Sequence, residues 1–284
     1  GYTLIESLII GCAMMFSSTI IGIKLLPTTV LHHKHTGELV VGLLLLQDLI
    51  AIIVLLVLGG HDPANSQEHN SVIAFVKTLL TLPLFVFGVF FFVKHIIFKL
   101  IQKFDKFSEY IFLLTIGWCL GVSELAHAIG LSEEIGAFVA GISIATSPIS
   151  QYIAMQLKPL RDFFLVLFFF SLGASFNLGL LADVILPSLL LAACMIALKP
   201  IIFRGLLRLN KEPNDMAWEV GFRLGQISEF SLLIAYLATA SALIGNEASH
   251  LIQATAILTF IFNSYIVIFH FPSPIAISDK LRRD

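Results

Sequence analysis

Long apolar runs alternate with short polar stops along the whole chain. Nine apolar segments can be drawn, at 4–27, 38–59, 71–98, 108–130, 133–147, 160–177, 180–205, 215–242 and 248–271. Between them lie stretches rich in Pro, Gly and Asn, such as LLPTT, GGHDPANSQ, TSPIS and LNKEPND, which mark loops. At ~1.5 Å per helical residue, most of the segments can cross a hydrocarbon core of ~30 Å. A core without water obliges each segment to satisfy its backbone internally, so the runs are expected to be helices and the chain an all-α polytopic membrane protein.

Composition agrees. With 57% hydrophobic residues, 13% charged residues and a mean hydropathy of +0.94, a soluble domain would carry more apolar surface than it could bury. The net charge of −2, with its basic residues spread thinly, excludes a nucleic-acid partner. Cys12, Cys119 and Cys194 sit far apart in apolar runs, so they read as packing residues and not as a disulfide or metal framework.

Charge placement sets an orientation. Fourteen of the 17 lysines and arginines follow odd-numbered segments, whereas the loops after even segments carry Asp62, Glu68, Asp183 and Glu247. Under the positive-inside rule the odd connections and the C-terminus are cytoplasmic and Gly1 lies outside. Residues 1–272 are thus read as the membrane domain and 273–284 as a cytoplasmic tail. Gly1 opens the chain without Met or a basic n-region, as expected of an excerpt. Of the three exceptions, Lys77 lies near an outer segment end and is expected to snorkel. Lys199 and Arg223 lie inside spans and require partners.

Asp48 stands with Gln47 midway through GELVVGLLLLQDLIAIIVLLVLGG, ~15 Å from either surface if the run is helical. An ionisable residue at that depth is expensive and points to an ion or proton path; an acid that only joins two helices is the plainer alternative. Two other segments are interrupted, the first by Ser17, Ser18, Thr19 and Gly22, the eighth by Gly225, Ser228 and Ser231. Such runs can release backbone carbonyls and helix ends to line an ion site. Ordinary small-residue helix packing leaves the same mark. Glu229, the other deep acid, is expected to form a structural ion pair with Arg223 or Lys199, with direct cation binding as the alternative.

In order along the chain, FSSTIIGIKLL, GELVVGLLLLQDLIAI, LSEEIGAFVAGISIATS, LKPLRDFFLVLFFFSLGASFNLGLL and GQISEFSLLIAYLA resemble the transmembrane domain of the monovalent cation:proton antiporter-2 family, most nearly its Kef-type potassium/proton branch. The resemblance implies a sodium/proton antiporter fold of two inverted repeats with two broken helices crossing near the midplane. It also implies thirteen helices with an outside N-terminus, so that the first four are expected to be missing here. Asp48 becomes the carboxylate that alternately holds a proton and K⁺ or Na⁺. Burial favours the protonated acid and a nearby cation favours the ionised one, so the two ions can compete for one oxygen pair. Gln47 stands where sodium-type relatives carry another acid, and one-for-one electroneutral exchange is expected. Thr19 or Ser18, with carbonyls of the broken helix, would complete an all-oxygen site. Lys199 matches the family lysine that pairs with the site acid or a neighbour, against the simpler reading of a snorkelling lysine. No cofactor is implied, and a homodimer in a bacterial inner membrane is.

Weaker signals remain. His32, His33 and His35 could sense pH, although a solvated loop explains them. His127 is expected to pair with Glu124. Gly117 and Gly121 have the spacing that permits close helix approach or a dimer contact. Glu133 and Glu134 read as N-terminal acids of a helix capped by Ser132. Pro200 is expected to free a carbonyl and kink its helix. A cation-selective channel, or a glutathione-gated type of potassium efflux system, is the alternative function. An intramembrane hydrolase is disfavoured because neither HExxH, GxSxG nor a second membrane aspartate occurs.

Overall fold

The computed structural model describes residues 1–27, 34–59, 71–103, 108–131, 133–175, 179 and 181–274. The expectations for His32, His33, Ser132 and the Lys77 side chain, and most of the tail reading, fall outside the described residues. Eleven helices follow in order among them. They are α1 (Leu4–Met15), α2 (Thr19–Lys24), α3 (His35–Gly59), α4, α5 (Ser108–Ala128), α6 (Glu133–Ala145), α7 (Ser150–Ser175), α8 (Leu181–Leu209), α9 (Asn214–Arg223), α10 (Glu229–Ala240) and α11 (Asn246–His270). Helix α4 begins as Ser71–Phe92, passes through a π-helical turn at Val93–Ile97 and ends as Phe98–Lys103. The protein is an all-α polytopic membrane protein.

Six stretches are long and apolar enough to span a bilayer: Leu4–Lys24, His35–Leu55, Thr81–Lys103, Glu109–Ala128, Val184–Leu209 and Asn246–His270. The other expected segments fall short for identifiable reasons. Helices α6 and α10 are short, and α9 with α10 is one run cut in two. Helix α7 starts well before the expected 160, at Ser150, so Lys158, Pro159 and Arg161 lie in a helix and not in a loop. Hydropathy marks where the chain enters lipid; a helix of Gln, Met, Leu and Lys continues into water, because its hydrogen bonds are internal.

Two compact units divide the chain, Gly59–Phe176 and the remainder, Gly1–Leu58 with Asn177–Asp284. In the first of these, α5 packs along α6 so closely that a Cβ on Gly136 would stand 2.6 Å from Ser123 Cα and 2.7 Å from Val122 O. Gly117 and Gly121, the pair with packing spacing, face open space instead. His127 Nδ1 lies 3.4 Å from Glu133, which replaces the expected Glu124 as its partner.

In the second unit, α8 packs against α9 and α11, while α1 packs against α10. Leu26, Val40, Leu44, Phe203, Leu207, Val220 and Leu224 form a buried cluster uniting α3, α8 and α9. A Cβ on Gly221 would come within 2.8 Å of Pro200 O, so glycine is what lets α9 lie on α8 beside its proline. The start of α1 carries a capping box, Thr3 with Glu6, and Glu6 Oε1 also accepts the Gly245 N–H at 3.0 Å. His35 is the first residue of α3 and no loop residue; its two ring nitrogens lie 3.2 Å from Glu38 and 3.0 Å from Glu212. Large apolar side chains such as Leu4, Leu84, Phe87 and Phe170 are more than two-thirds exposed, the inverse of a soluble surface and the pattern of a lipid-facing one. Cys194 is also exposed, so it is not the packing residue expected.

Candidate ion-binding site

Helix α1 stops at Met15, Phe16 is extended (φ −77°, ψ 146°), and Ser18 restarts the helix as N-cap of α2 by accepting the Ile21 N–H. The second break has the same construction. Helix α9 ends at Arg223, Leu224 to Ile227 are not helical, and Ser228 caps α10 by accepting the Phe230 N–H. Serine suits both restarts, because its oxygen satisfies an N–H that the interrupted helix leaves bare.

The two breaks bind each other. Ser17 Oγ donates to Leu224 O at 2.7 Å, Gln226 Nε2 donates to Ser18 O at 3.4 Å, and the Ser231 hydroxyl donates to Ala13 O. Helix α11 lies alongside. Thr259 Oγ1 accepts the Ile227 N–H at 3.1 Å, and Asn263 Nδ2 donates to Phe222 O at 2.9 Å and to Gln226 Oε1 at 2.6 Å. A Cβ on Gly225 would meet Asn263 Oδ1 at 2.5 Å, so any larger residue here would push the Asn263 side chain from its place. Interrupted backbone is tolerated at membrane depth only when its polar groups are answered in this way.

The charged residues sort by helix end. Lys199 is 5% exposed and its Nζ donates to Phe16 O at 2.7 Å and Gln226 O at 2.9 Å, one carbonyl from each break. It therefore neither snorkels nor pairs with an acid; it answers the carbonyl that ends α1 and one that the second break sets free. Arg223 is buried and donates to Glu219 at 2.7 and 3.0 Å, to Leu25 O at 3.0 Å and to Pro272 O at 2.7 Å. The expected pairing of Glu229 with Arg223 or Lys199 is thus replaced. Glu219, one helical turn before Arg223, takes the arginine, and backbone carbonyls take the lysine.

Asp48 is buried, and Thr19 Oγ1 lies 3.2 Å from its Oδ1 and 3.0 Å from its Oδ2. Gln47 does not turn its oxygen toward an ion here: Oε1 accepts the Ser17 N–H at 2.7 Å and so braces the first break. Glu229, the first residue of α10, lies near Ser18, Ile20 and Asp48, and its Oε2 is buried with no hydrogen-bond partner among the described residues. Ser18, Thr19, Asp48 and Glu229 thus gather at one place, with Gln47 behind them. An apolar cavity of about 890 Å³ between α1, α3 and α8 reaches Gln47 and Lys199.

Three supporting residues are not picked out by the sequence reading. Thr259 and Asn263 stand four apart in the otherwise apolar ILTFIFNSY, a polar stripe on one face of α11, and that spacing is a signal the sequence contains. Glu219 is four residues from Arg223, the spacing of a helical ion pair.

The chain matches the model of the sodium/hydrogen exchanger transmembrane family over residues 1–270. It belongs to that family. K(+) efflux antiporter 5 of Arabidopsis thaliana is 28% identical over 275 residues, covering 92% of this chain and 46% of the relative. Iron transporter MagA of Paramagnetospirillum magneticum is 25% identical, covering 93% and 60%. The ammonium/H(+) antiporter subunit AmhT of Alkalihalophilus pseudofirmus is 31% identical, covering 85% and 62%. The chain spans about half the length of the curated relatives it matches, from 46% to 62% of these three. These likenesses agree with the monovalent cation:proton antiporter-2 assignment, in a family of transporters and not enzymes.

Proposed function

We propose that the protein containing this chain exchanges a monovalent cation for protons across a bilayer, with Asp48 as the alternately protonated and cation-loaded group. One observation carries the reading: among the described residues no basic side chain pairs with Asp48, because Lys199 is committed to Phe16 O and Gln226 O and Arg223 to Glu219. A buried carboxylate without a protein counter-charge is open to a proton or a metal ion. Thr19 and Ser18 add hydroxyl oxygens, a donor set for a hard cation; a soft or transition metal would call for imidazole or thiolate. Among the described residues no group of three or more His, Cys, Asp or Glu could hold such a metal, which speaks against iron as cargo.

Potassium is the favoured cation, supported by the name of the plant relative, with sodium and ammonium as competitors. Exchange is one for one and electroneutral, with Asp48 as the group that trades its proton for the cation, since the amide of Gln47 next to it cannot carry a second proton. Meeting breaks in two helices suit a carrier whose site opens to one side of the membrane and then to the other, and the C-terminus lies in the cytoplasm under the positive-inside rule. The open face at Gly117 and Gly121 supports contact with a second copy in a homodimer.

The test is proton release from acid-loaded everted vesicles containing the full-length protein, on addition of K⁺, Na⁺ or NH₄⁺. Wild type is expected to dissipate the pH gradient, and Asp48→Asn to respond no more than empty vesicles. Equal responses would reject the carrier role of Asp48. A cation-induced membrane potential without stoichiometric proton movement would favour a channel instead.

A further inference from the structure

Glu229 presents a buried carboxylate oxygen, Oε2, that no group among the described residues answers. Leaving such an oxygen bare is unfavourable by about 1–3 kcal/mol, more if it is charged, so a native structure that keeps one calls for an explanation. The usual explanation, an ion pair, is closed off. Lys199 Nζ is held by two backbone carbonyls and Arg223 by Glu219, Leu25 O and Pro272 O.

What stands near Glu229 is another acid. Its carboxyl lies near the Ser18 hydroxyl, and the adjacent Thr19 hydroxyl lies 3.2 and 3.0 Å from the two oxygens of Asp48. One Thr19 hydroxyl has one proton to donate, so Asp48 too keeps acceptor capacity in reserve. Two carboxylates thus stand by a pair of neighbouring hydroxyls, and among the described residues neither pairs with a basic side chain. The Oε2 of Glu229 and the spare lone pairs of Asp48 are oxygen donors left over in a place of low dielectric.

We infer that Glu229 is a direct ligand of the transported monovalent cation, its Oε2 completing with Asp48, Ser18 and Thr19 a two-carboxylate site. The inference rests on the carrier role of Asp48 and adds to it. A single flexible carboxylate discriminates poorly between alkali cations, whereas a second one, fixed at the first residue of α10, sets the span between opposing oxygens. Glu229 thereby becomes a determinant of affinity and of the choice between K⁺ and Na⁺.

The experiment is calorimetric titration of the purified full-length protein with KCl or NaCl, at constant ionic strength held by a bulky organic cation, with thermal unfolding measured in the absence of alkali metal. Glu229→Gln keeps size and a hydrogen-bond acceptor but loses the charged ligand. It is expected to unfold at the wild-type temperature and to bind the cation at least tenfold more weakly. A Kd within twofold of wild type would leave Glu229 a structural group and overturn the inference. If Glu229→Gln is unstable without cation, Glu229→Asp decides, because it keeps the charge and withdraws the oxygen by one methylene. A change of threefold or more in the ratio of K⁺ to Na⁺ affinity supports the inference, and an unchanged ratio overturns it. Asp48→Asn is titrated in parallel: wild-type affinity there would sink the carrier role of Asp48 whatever Glu229 does.

Discussion

Lys199 offers the sharpest energetic test, because its ammonium is the only donor reaching both breaks at once among the described hydrogen bonds. In Lys199→Met the side chain keeps its length and apolar stem but leaves Phe16 O and Gln226 O without a donor. Each bare buried carbonyl is unfavourable by about 1–3 kcal/mol, and losing a cation from the carbonyl end of α1 removes about 0.3–1 kcal/mol. Against this stands relief from burying an ammonium, an effective penalty of several kcal/mol. Breaking one side of a buried charged arrangement nevertheless usually destabilises by about 3–5 kcal/mol, since the groups left behind stay desolvated. We therefore expect a net loss of about 2–4 kcal/mol, which for a domain of this size lowers Tm by roughly 5–15 °C. The assay is thermal unfolding in detergent without alkali cation, followed by tryptophan fluorescence. Trp218 reports well, since it stacks on Phe222 in α9 beside the second break. Lys199→Gln, able to donate to one carbonyl, should lie between the two. A Tm for Lys199→Met within about 2 °C of wild type would refute the assignment of Lys199 as the link that satisfies both breaks.

Gly136→Val is expected to destabilise by more than the about 1–3 kcal/mol of ordinary overpacking, because its Cβ meets Ser123 Cα and Val122 O, backbone atoms that cannot swing away. Near-wild-type unfolding of that variant would contradict the close α5–α6 contact, and Gly88→Val, with open space at its Cβ, serves as the tolerant control. Arg223→Lys should also unfold at lower temperature, by about 2–4 kcal/mol, because one ammonium cannot serve Glu219, Leu25 O and Pro272 O together. Preserved stability in the lysine variant would mean that the buried fork of contacts is dispensable.

Much of this site can be read along the chain. Asp48 is conspicuous because a lone acid stands midway through an apolar run, and both breaks show as serine and glycine clusters where apolar side chains would otherwise continue. Partners are harder. Lys199, Arg223 and Glu229 all announce a need for counter-charge, and opposite charges in neighbouring spans suggest pairing each other. The structure divides them differently because carbonyls released by the breaks are acceptors too, and they carry no mark in the sequence. Gly136 shows the same limit from the other side. Its neighbourhood lacks the GxxxG spacing that Gly117 and Gly121 possess, yet it is Gly136 that faces a packed backbone.

The sequence by itself determined the solvent and the secondary structure. Runs of apolar residues have no stable place but lipid, lipid permits little but helix, and a carboxylate within such a run declares a function. Only the tertiary structure decided which charges neutralise which. Helix ends are charges made of backbone, and their positions are known only once two interrupted helices have been brought together. With Lys199 turned to carbonyls of the two breaks and Arg223 to Glu219, Asp48 is left beside the Thr19 hydroxyl with no basic partner among the described residues.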